Sequence, residues 1–508
     1  MIRPSGGAAP GAARRRTLVQ RAFRHRGDDL RRRVVHGASF TFVGIFLRTA
    51  ITVGSMSILA RLLTPADFGH VAMATVVTEF AMLFATFGFG PTLIQQVRVT
   101  RIQLDTVFWA ALALGGLISA SVFGLSFYSE LLFADQIAGE LLRVLCLTFV
   151  LEELTVVPSS LLSRLFMFRQ LLIVQVVQLV CRAGTAVLLA WYGLGVWSLV
   201  GGALIGNFAQ WAAFASIVNF RPRLRFSWSF LASTWQTNAS YFGGGILFYL
   251  NANVDLLIIG RTMGATSLGY YQNARSLADE IRARIAMPLH GIMFPVFSAV
   301  QNDLPRFQDG VKRSGRLLAL LVVPIGFGVA AVAEELVPVF YGNQWLTMVP
   351  ILQIIAAGAG IRAATTISGP IYNATNRVGL GLRLNALYSI LLVTSIVIGI
   401  RWGVIGVAYA LLLGAAFSVV MFRMALGLIK LGTADLWGIL GAPLIAALTM
   451  AAALMVIRPG LAGLVPEVAV RLVCLVVAGA VIYTGIVLLI ARRYVADVVE
   501  AIEAFRRR

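Results

Sequence analysis

The amino-acid sequence predicts an all-α polytopic membrane protein, and three observations lead to this prediction. Hydrophobic residues make up 59% of the chain and charged residues only 13%, whereas soluble chains carry roughly 25% charged residues. Apolar segments of about 20 residues, the length that crosses a bilayer, follow one another along nearly the whole chain. The polar breaks between these segments are short, so no loop could hold a soluble catalytic domain.

About 14 segments are long and apolar enough to be transmembrane helices. Several contain Gly, Pro and Ser, which packed transmembrane helices tolerate. In chain order, the predicted spans 1 to 14 lie at residues 36–60, 70–96, 104–127, 140–165, 171–191, 195–217, 235–260, 267–300, 315–338, 347–370, 380–400, 403–427, 436–457 and 468–491.

The distribution of basic residues predicts the orientation of these spans. In and beside the even-numbered loops lie 15 Lys and Arg residues, against 6 in and beside the odd-numbered loops. Both tails, residues 1–34 and 492–508, are basic as well. Because cytoplasmic segments carry the excess of Lys and Arg, we expect an even number of spans with both termini in the cytoplasm. The net charge of +20 therefore indicates contact with anionic membrane lipids rather than with nucleic acid.

The sequence also resembles itself at an offset of 200 residues, which predicts an internal repeat. A further similarity links residues 192–196 with residues 402–407. Six spans separate the copies, so both halves have the same orientation, as in a parallel repeat about an axis normal to the membrane. Chance similarity between short helical hairpins is the alternative. The matched structural residues are Arg61 with Arg261, Gly69 with Gly269, and Glu79 with Asp279.

The repeat predicts two six-helix lobes that face a central cavity and rock by alternating access, followed by two further helices. The predicted divisions are a basic cytoplasmic tail (1–34), an N-lobe with spans 1–6 (35–217), a cytoplasmic linker (218–234), a C-lobe with spans 7–12 (235–427), spans 13 and 14 (428–491) and a second basic cytoplasmic tail (492–508).

Three arginines within spans have no acidic residue three or four positions away on their own helix: Arg48, Arg182 and Arg362. Charged side chains inside a membrane are costly and usually face a cavity or a partner. A guanidinium matches a phosphate group through two parallel hydrogen bonds. These arginines therefore predict a phosphate-bearing or acidic substrate, with snorkelling or an interhelical salt bridge as the alternative for each.

Span 8 carries a cluster of charges that allows two interpretations. Arg275 with Asp279, and Glu280 with Arg284, are four residues apart and could pair within the helix. Alternatively, Arg275 and Arg282 share nearly one face, with Asp279 between them, and line a cationic cavity. Arg284 lies about 200° from Arg282, so the two cannot both point into that cavity.

Asp255 in span 7 is the candidate for ion coupling, because Asn251 and Asn253 precede it within an otherwise apolar helix. A carboxylate among amides could bind Na⁺ or a proton, or could be a structural hydrogen-bonded group. We interpret Glu79 and Asp279 as acids that pack each lobe. The sequence contains no metal-ligand spacing, cofactor motif or catalytic motif, so we expect a transporter and not an enzyme.

Two stretches resemble the signature of a known family: ARLLTPADFG at residues 60–69 and FGFGPTLIQQ at residues 87–96. They look like the Wzx-type polysaccharide flippases of the multidrug/oligosaccharidyl-lipid/polysaccharide exporter superfamily. The resemblance covers about residues 35 to 495 and is strongest to the branch that serves exopolysaccharide and lipopolysaccharide export.

The resemblance implies a flippase that moves undecaprenyl-pyrophosphate-linked oligosaccharides to the outer leaflet of the bacterial inner membrane. It also implies cavity arginines that meet the pyrophosphate, and by position these are Arg48, Arg275 and Arg282. A polysaccharide polymerase or export complex would be the partner, and Na⁺ or H⁺ coupling occurs within the superfamily. The alternatives are a multidrug/cation antiporter, whose cavity should be acidic and aromatic, and a polysaccharide polymerase or ligase, which should carry a large outer loop.

Overall fold

The computed structural model describes residues 30–86, 88–96, 99–129, 133, 135–281 and 286–490. These residues form α-helices and short 3₁₀ turns, with no β-strand among them. In the first half of the chain the helices are α1 (Leu30–Leu62), α2 (Pro65–Thr86), α3 (Phe89–Gln95), α4 (Arg101–Leu125), α5 (Gln136–Leu145), α6 (Leu147–Arg164), α7 (Phe168–Trp191), α8 (Trp197–Ile217) and α9 (Trp228–Ile281).

The second half contains nine further helices in its described part. They are α10 (Met287–Ala299), α11 (Leu304–Ala331), α12 (Ala333–Phe340), α13 (Val349–Ala364), α14 (Ser368–Ala374), α15 (Val378–Gly399), α16 (Gly403–Leu428), α17 (Thr433–Leu464) and α18 (Val468–Ile490). The predicted tails lie outside the described residues, except that α1 begins at Leu30, within the predicted tail 1–34.

The predicted fold class is confirmed: the chain is an all-α multi-pass membrane protein. Each predicted span overlaps one helix or a pair of helices in the structure. Within the described residues, nine segments are long and apolar enough to cross a membrane, and the count of 14 spans stays a prediction. Predicted spans 7 and 8 lie on either side of a kink within α9, where Gly264 interrupts the helix with φ of 77°, a conformation that glycine adopts without steric cost.

Two compact units divide at this bend, one ending at Ala265 and the other beginning at Thr266. In the first unit α7 packs against α8 and α1, and α6 packs against α4. Close packing explains why repeat-matched position 69 is a glycine: a Cβ atom there would lie 1.8 Å from the carbonyl oxygen of Ala265. The predicted lobe boundaries, 35–217 and 235–427, stay predictions.

In the second unit α17 lies along α11, and α18 packs on α17. One end of the α11–α17 pair is joined by Lys312, whose Nζ lies 2.7 Å from Oδ1 of Asp435. Close to it, Nε of Arg316 donates a hydrogen bond of 3.2 Å to the carbonyl oxygen of Gly438. The last two helices are thus fixed to the second unit by polar contacts as well as by apolar packing.

A second ion cluster joins α12 to α17 and α18. The Glu335 side chain is only 2% exposed, and its Oε1 lies 3.2 Å from Nε of Arg458 and 3.3 Å from Nε of Arg471. Glu334, with a side chain 54% exposed, also pairs with Arg458 at 2.9 Å. Two of the six basic residues on the predicted outer side are therefore neutralised by neighbouring carboxylates.

Substitution Glu335→Ala should destabilise the protein by about 3 kcal/mol, because it leaves two largely buried guanidinium groups without their shared carboxylate. The matched control is Glu334→Ala, which removes an exposed partner and should cost about 1 kcal/mol or less. Thermal unfolding of both purified variants in detergent measures the difference. Equal melting temperatures for the two variants would show that burial of Glu335 contributes nothing.

Candidate functional site

The second unit contains a cluster of two arginines around one carboxylate. Asp279 lies near the end of α9, and its Oδ1 accepts a hydrogen bond of 2.7 Å from Nη2 of Arg362 on α13. Its Oδ2 lies 3.5 Å from Nε of Arg275, one helical turn earlier. The three side chains are between 14% and 26% exposed. The cluster therefore places one net positive charge among apolar helices.

This arrangement bears on one of the two interpretations of span 8. Arg275 and Asp279 do pair within the helix, as one interpretation held. Arg362 arrives from another helix, so the interhelical salt bridge that the sequence left open for it is present. Arg282 and Arg284 lie outside the described residues, so their proposed placement stays a prediction.

A polar network in the first unit surrounds Arg182 on α7. Nδ2 of Asn207 on α8 donates a hydrogen bond of 3.3 Å to Oε1 of Glu152 on α6. Oδ1 of the same Asn207 accepts one of 3.1 Å from Nε2 of Gln178. The Arg182 guanidinium is attracted to the carboxylates of Glu152 and of Glu79 on α2. Arg182 is thus compensated across helices and not along its own.

Arg48 on α1 contacts the same face of α7. Its Nη1 donates a hydrogen bond of 3.0 Å to Oε1 of Gln175. Gln175, Gln178 and Arg182 are spaced by three and four residues, so they form one stripe along α7. The structure therefore brings Arg48 and Arg182 to one polar stripe within the first unit. Sequence reasoning missed the two glutamines, although their spacing from Arg182 is a readable signal.

The remaining predicted residues have separate locations. Arg61 and Arg261 are exposed, whereas Gly269 is buried. Asp255 is only 2% exposed, and its Oδ1 accepts a hydrogen bond of 3.0 Å from the backbone N–H of Leu256. Asn253 is half-buried, while the side chain of Asn251 lies outside the described residues.

A second buried carboxyl group in the first unit was less prominent in the sequence. Glu153 on α6 is fully buried, and within the described residues neither of its carboxyl oxygens has a hydrogen-bond partner. Gly115 on α4 makes room for it, since a Cβ atom there would lie 2.6 Å from Cγ of Glu153. Among the described residues, no three His, Cys, Asp or Glu side chains come together in a metal-binding group.

Substitution Asp279→Asn tests the charge balance of the second-unit cluster without changing its shape. We expect a loss of stability on the order of 2 kcal/mol, because Arg275 and Arg362 would lose the carboxylate between them. The control is Asp309→Asn, which makes the same change at an exposed position on α11. The apparent melting temperature of each variant in detergent is the measurement. A melting temperature for Asp279→Asn equal to that of the control would contradict the pairing.

Two solved structures share this fold. The lipid II flippase MurJ in its inward closed conformation superposes with a TM-score of 0.73 at 16% identity, covering 91% of this chain and all of that one. An inward-facing multidrug resistance transporter of the MATE family gives a TM-score of 0.61 at 13% identity, covering 75% of this chain and 94% of that one. At such identities the likeness concerns the fold alone.

Sequence comparison identifies relatives in polysaccharide biosynthesis. The succinoglycan biosynthesis transport protein ExoT of Rhizobium meliloti (strain 1021) is 27% identical over 86% of this chain and 89% of its own length. The lipopolysaccharide biosynthesis protein WzxC of Escherichia coli (strain K12) is 24% identical over 76% of this chain and 79% of its own. The polysaccharide biosynthesis protein family matches residues 58–350, more than half of the sequence. The chain belongs to this family of polysaccharide biosynthesis proteins.

Proposed function

We propose that this chain is a flippase, which moves undecaprenyl-pyrophosphate-linked oligosaccharides across the bacterial inner membrane by alternating access. The observation that carries the proposal is the cluster of Arg275, Asp279 and Arg362, which holds a net positive charge among apolar helices. Family membership supports a role in polysaccharide biosynthesis, and the transport role named for ExoT supports movement of a glycan and not its synthesis.

The chemistry of the cluster suits a pyrophosphate. A guanidinium group donates two parallel hydrogen bonds to a phosphate, and it is more weakly hydrated than an ammonium group, which favours its use away from bulk water. Asp279 pairs with both arginines while no substrate is bound. A pyrophosphate competes with this carboxylate for the same N–H donors, so the site can take up and release an anion without leaving a bare charge.

The first-unit stripe has a complementary role in this proposal. Arg48 donates a hydrogen bond to Gln175, and the Arg182 guanidinium is attracted to Glu152 and Glu79. Both arginines offer donors to phosphate or to sugar hydroxyl groups. The polyprenyl chain stays in the lipid, where its apolar surface costs nothing. The tails are cytoplasmic, and a polysaccharide polymerase or export complex receives the flipped product.

The direct test is translocation of a fluorescent undecaprenyl-pyrophosphate glycan in proteoliposomes that contain the purified protein. Movement that depends on the protein supports the flippase proposal. Adding a Na⁺ or a proton gradient tests coupling, and a dependence on either gradient would make Asp255 and Glu153 the carboxyl groups to substitute. Uptake of an organic cation with no glycan movement would replace the proposal by the multidrug antiporter, and glycan chain extension would indicate a polymerase.

Substitutions Arg48→Ala and Arg275→Ala should each lower polysaccharide export at least about tenfold, because each removes charge-assisted hydrogen bonds to the substrate. The matched control is Arg377→Ala, which removes an exposed arginine at the start of α15 and should leave export unchanged. Secreted polysaccharide is measured together with the amount of each variant in the membrane. Normal export by both substituted proteins, at normal abundance, would overturn the assignment of these arginines.

A further inference from the structure

The segment between α8 and α9 has no helix of its own, yet its backbone is held firmly against α4. Oδ1 of the fully buried Asp105 accepts a hydrogen bond of 3.2 Å from the backbone N–H of Arg223. The carbonyl oxygen of Arg223 accepts one of 2.9 Å from the Trp109 indole. Further along, the N–H of Ser227 donates one of 3.0 Å to Oγ1 of Thr106. Asp105, Thr106 and Trp109 of α4 thus fix this segment in place.

Arg101 completes the attachment from the same helix. Its Nε lies 3.5 Å from Oδ1 of Asp105, and another of its nitrogens donates a hydrogen bond to the carbonyl oxygen of Arg221. The guanidinium group also stacks on Phe220, 5.1 Å from the ring centre. Arg101 and Asp105 therefore compensate one another, and the charges of the segment itself are not used to hold it.

Several side chains of the attached segment are exposed rather than packed on α4. Arg221, Arg223 and Arg225 are all exposed. Leu224 is 89% exposed and Trp228 is 75% exposed, so large apolar side chains lie beside the arginines. The Phe226 and Trp228 rings contact each other, with centres 4.9 Å apart. Residues 218–235 contain no acidic residue, so the exposed surface carries three uncompensated positive charges within the segment.

We propose that this surface, defined by Arg221, Arg223, Leu224, Arg225, Phe226 and Trp228, binds the headgroups of anionic phospholipids in the adjoining leaflet. The surface directly follows the end of α8 at Ile217, a helix long and apolar enough to cross a membrane, and it ends where α9 begins at Trp228. Arginines there meet lipid phosphates, and tryptophan prefers the headgroup region. The rigid attachment to α4 presents both sets of side chains without further ordering.

The combination of charge and apolar exposure selects a lipid over a free anion. A free phosphate would need the arginines but would leave Leu224 and Trp228 in water. A lipid surface satisfies both, because the apolar side chains enter the acyl boundary while the guanidinium groups stay at the phosphates. This binding does not depend on which substrate the protein moves, so its test is separate from the flippase assay.

The experiment measures tryptophan quenching by brominated lipids in proteoliposomes of the full chain. Bromine quenches only nearby rings, and the difference between the unsubstituted protein and Trp228→Phe isolates one of the nine tryptophans. At equal mole fraction, brominated phosphatidylglycerol should quench this component about fivefold more than brominated phosphatidylcholine. The preference should fall at high salt, which screens exposed charges.

The triple variant Arg221→Gln, Arg223→Gln, Arg225→Gln should lose this preference, with equal quenching by the two lipids. The matched control is Arg377→Gln with Arg383→Gln, which removes two exposed arginines beside another loop on the same predicted side and should keep the preference. Equal quenching by both lipids in the unsubstituted protein, no quenching by either, or the same loss in the control would overturn the proposal.

Discussion

Compensation of charge away from water is the constraint on which this structure depends. A charged group in an apolar bilayer is expensive unless it has a partner, and a partner usually has to come from another helix. Glu335 therefore draws two arginines from α17 and α18 to α12. Asp279 likewise draws Arg362 from α13 to α9. Each ion cluster fixes both the register and the neighbours of the helices that supply it.

The helices themselves could be predicted from the sequence, because transmembrane length and apolarity are local properties. The breaks inside them were harder to predict. Predicted span 4 is divided between α5 and α6 near Cys146, and predicted span 2 is divided near Gly88, which has φ of 73°. The break at Gly264 is the exception, since it falls between predicted spans 7 and 8, where a glycine in an apolar stretch could be identified from the sequence. The other breaks depend on what packs around them, which a hydropathy pattern does not contain.

The charged residues show the same division between local and distant information. The pairing of Arg275 with Asp279 follows from their spacing, whereas Arg362 lies 83 residues from Asp279 and only the tertiary structure brings the two side chains together. The glutamines of α7 were overlooked because neutral amides do not stand out in an apolar helix. Their position on the helix is what matters: Gln175 accepts a hydrogen bond from Arg48, and Gln178 donates one to Asn207. Residue type gave the candidates, and tertiary structure decided their partners.

A transporter needs charged groups that are stable in more than one state, and shared counter-ions provide this. A single arginine held by a single carboxylate would have to break that pair completely in order to bind a phosphate. In the second unit two guanidinium groups share Asp279, and in the proposed flippase mechanism one of them turns to the anion while the other keeps the carboxylate compensated. The free energy of anion exchange is then the difference between two charge-assisted interactions of similar strength. A site that binds and then releases a pyrophosphate requires such a small difference, because an anion bound too tightly would not leave.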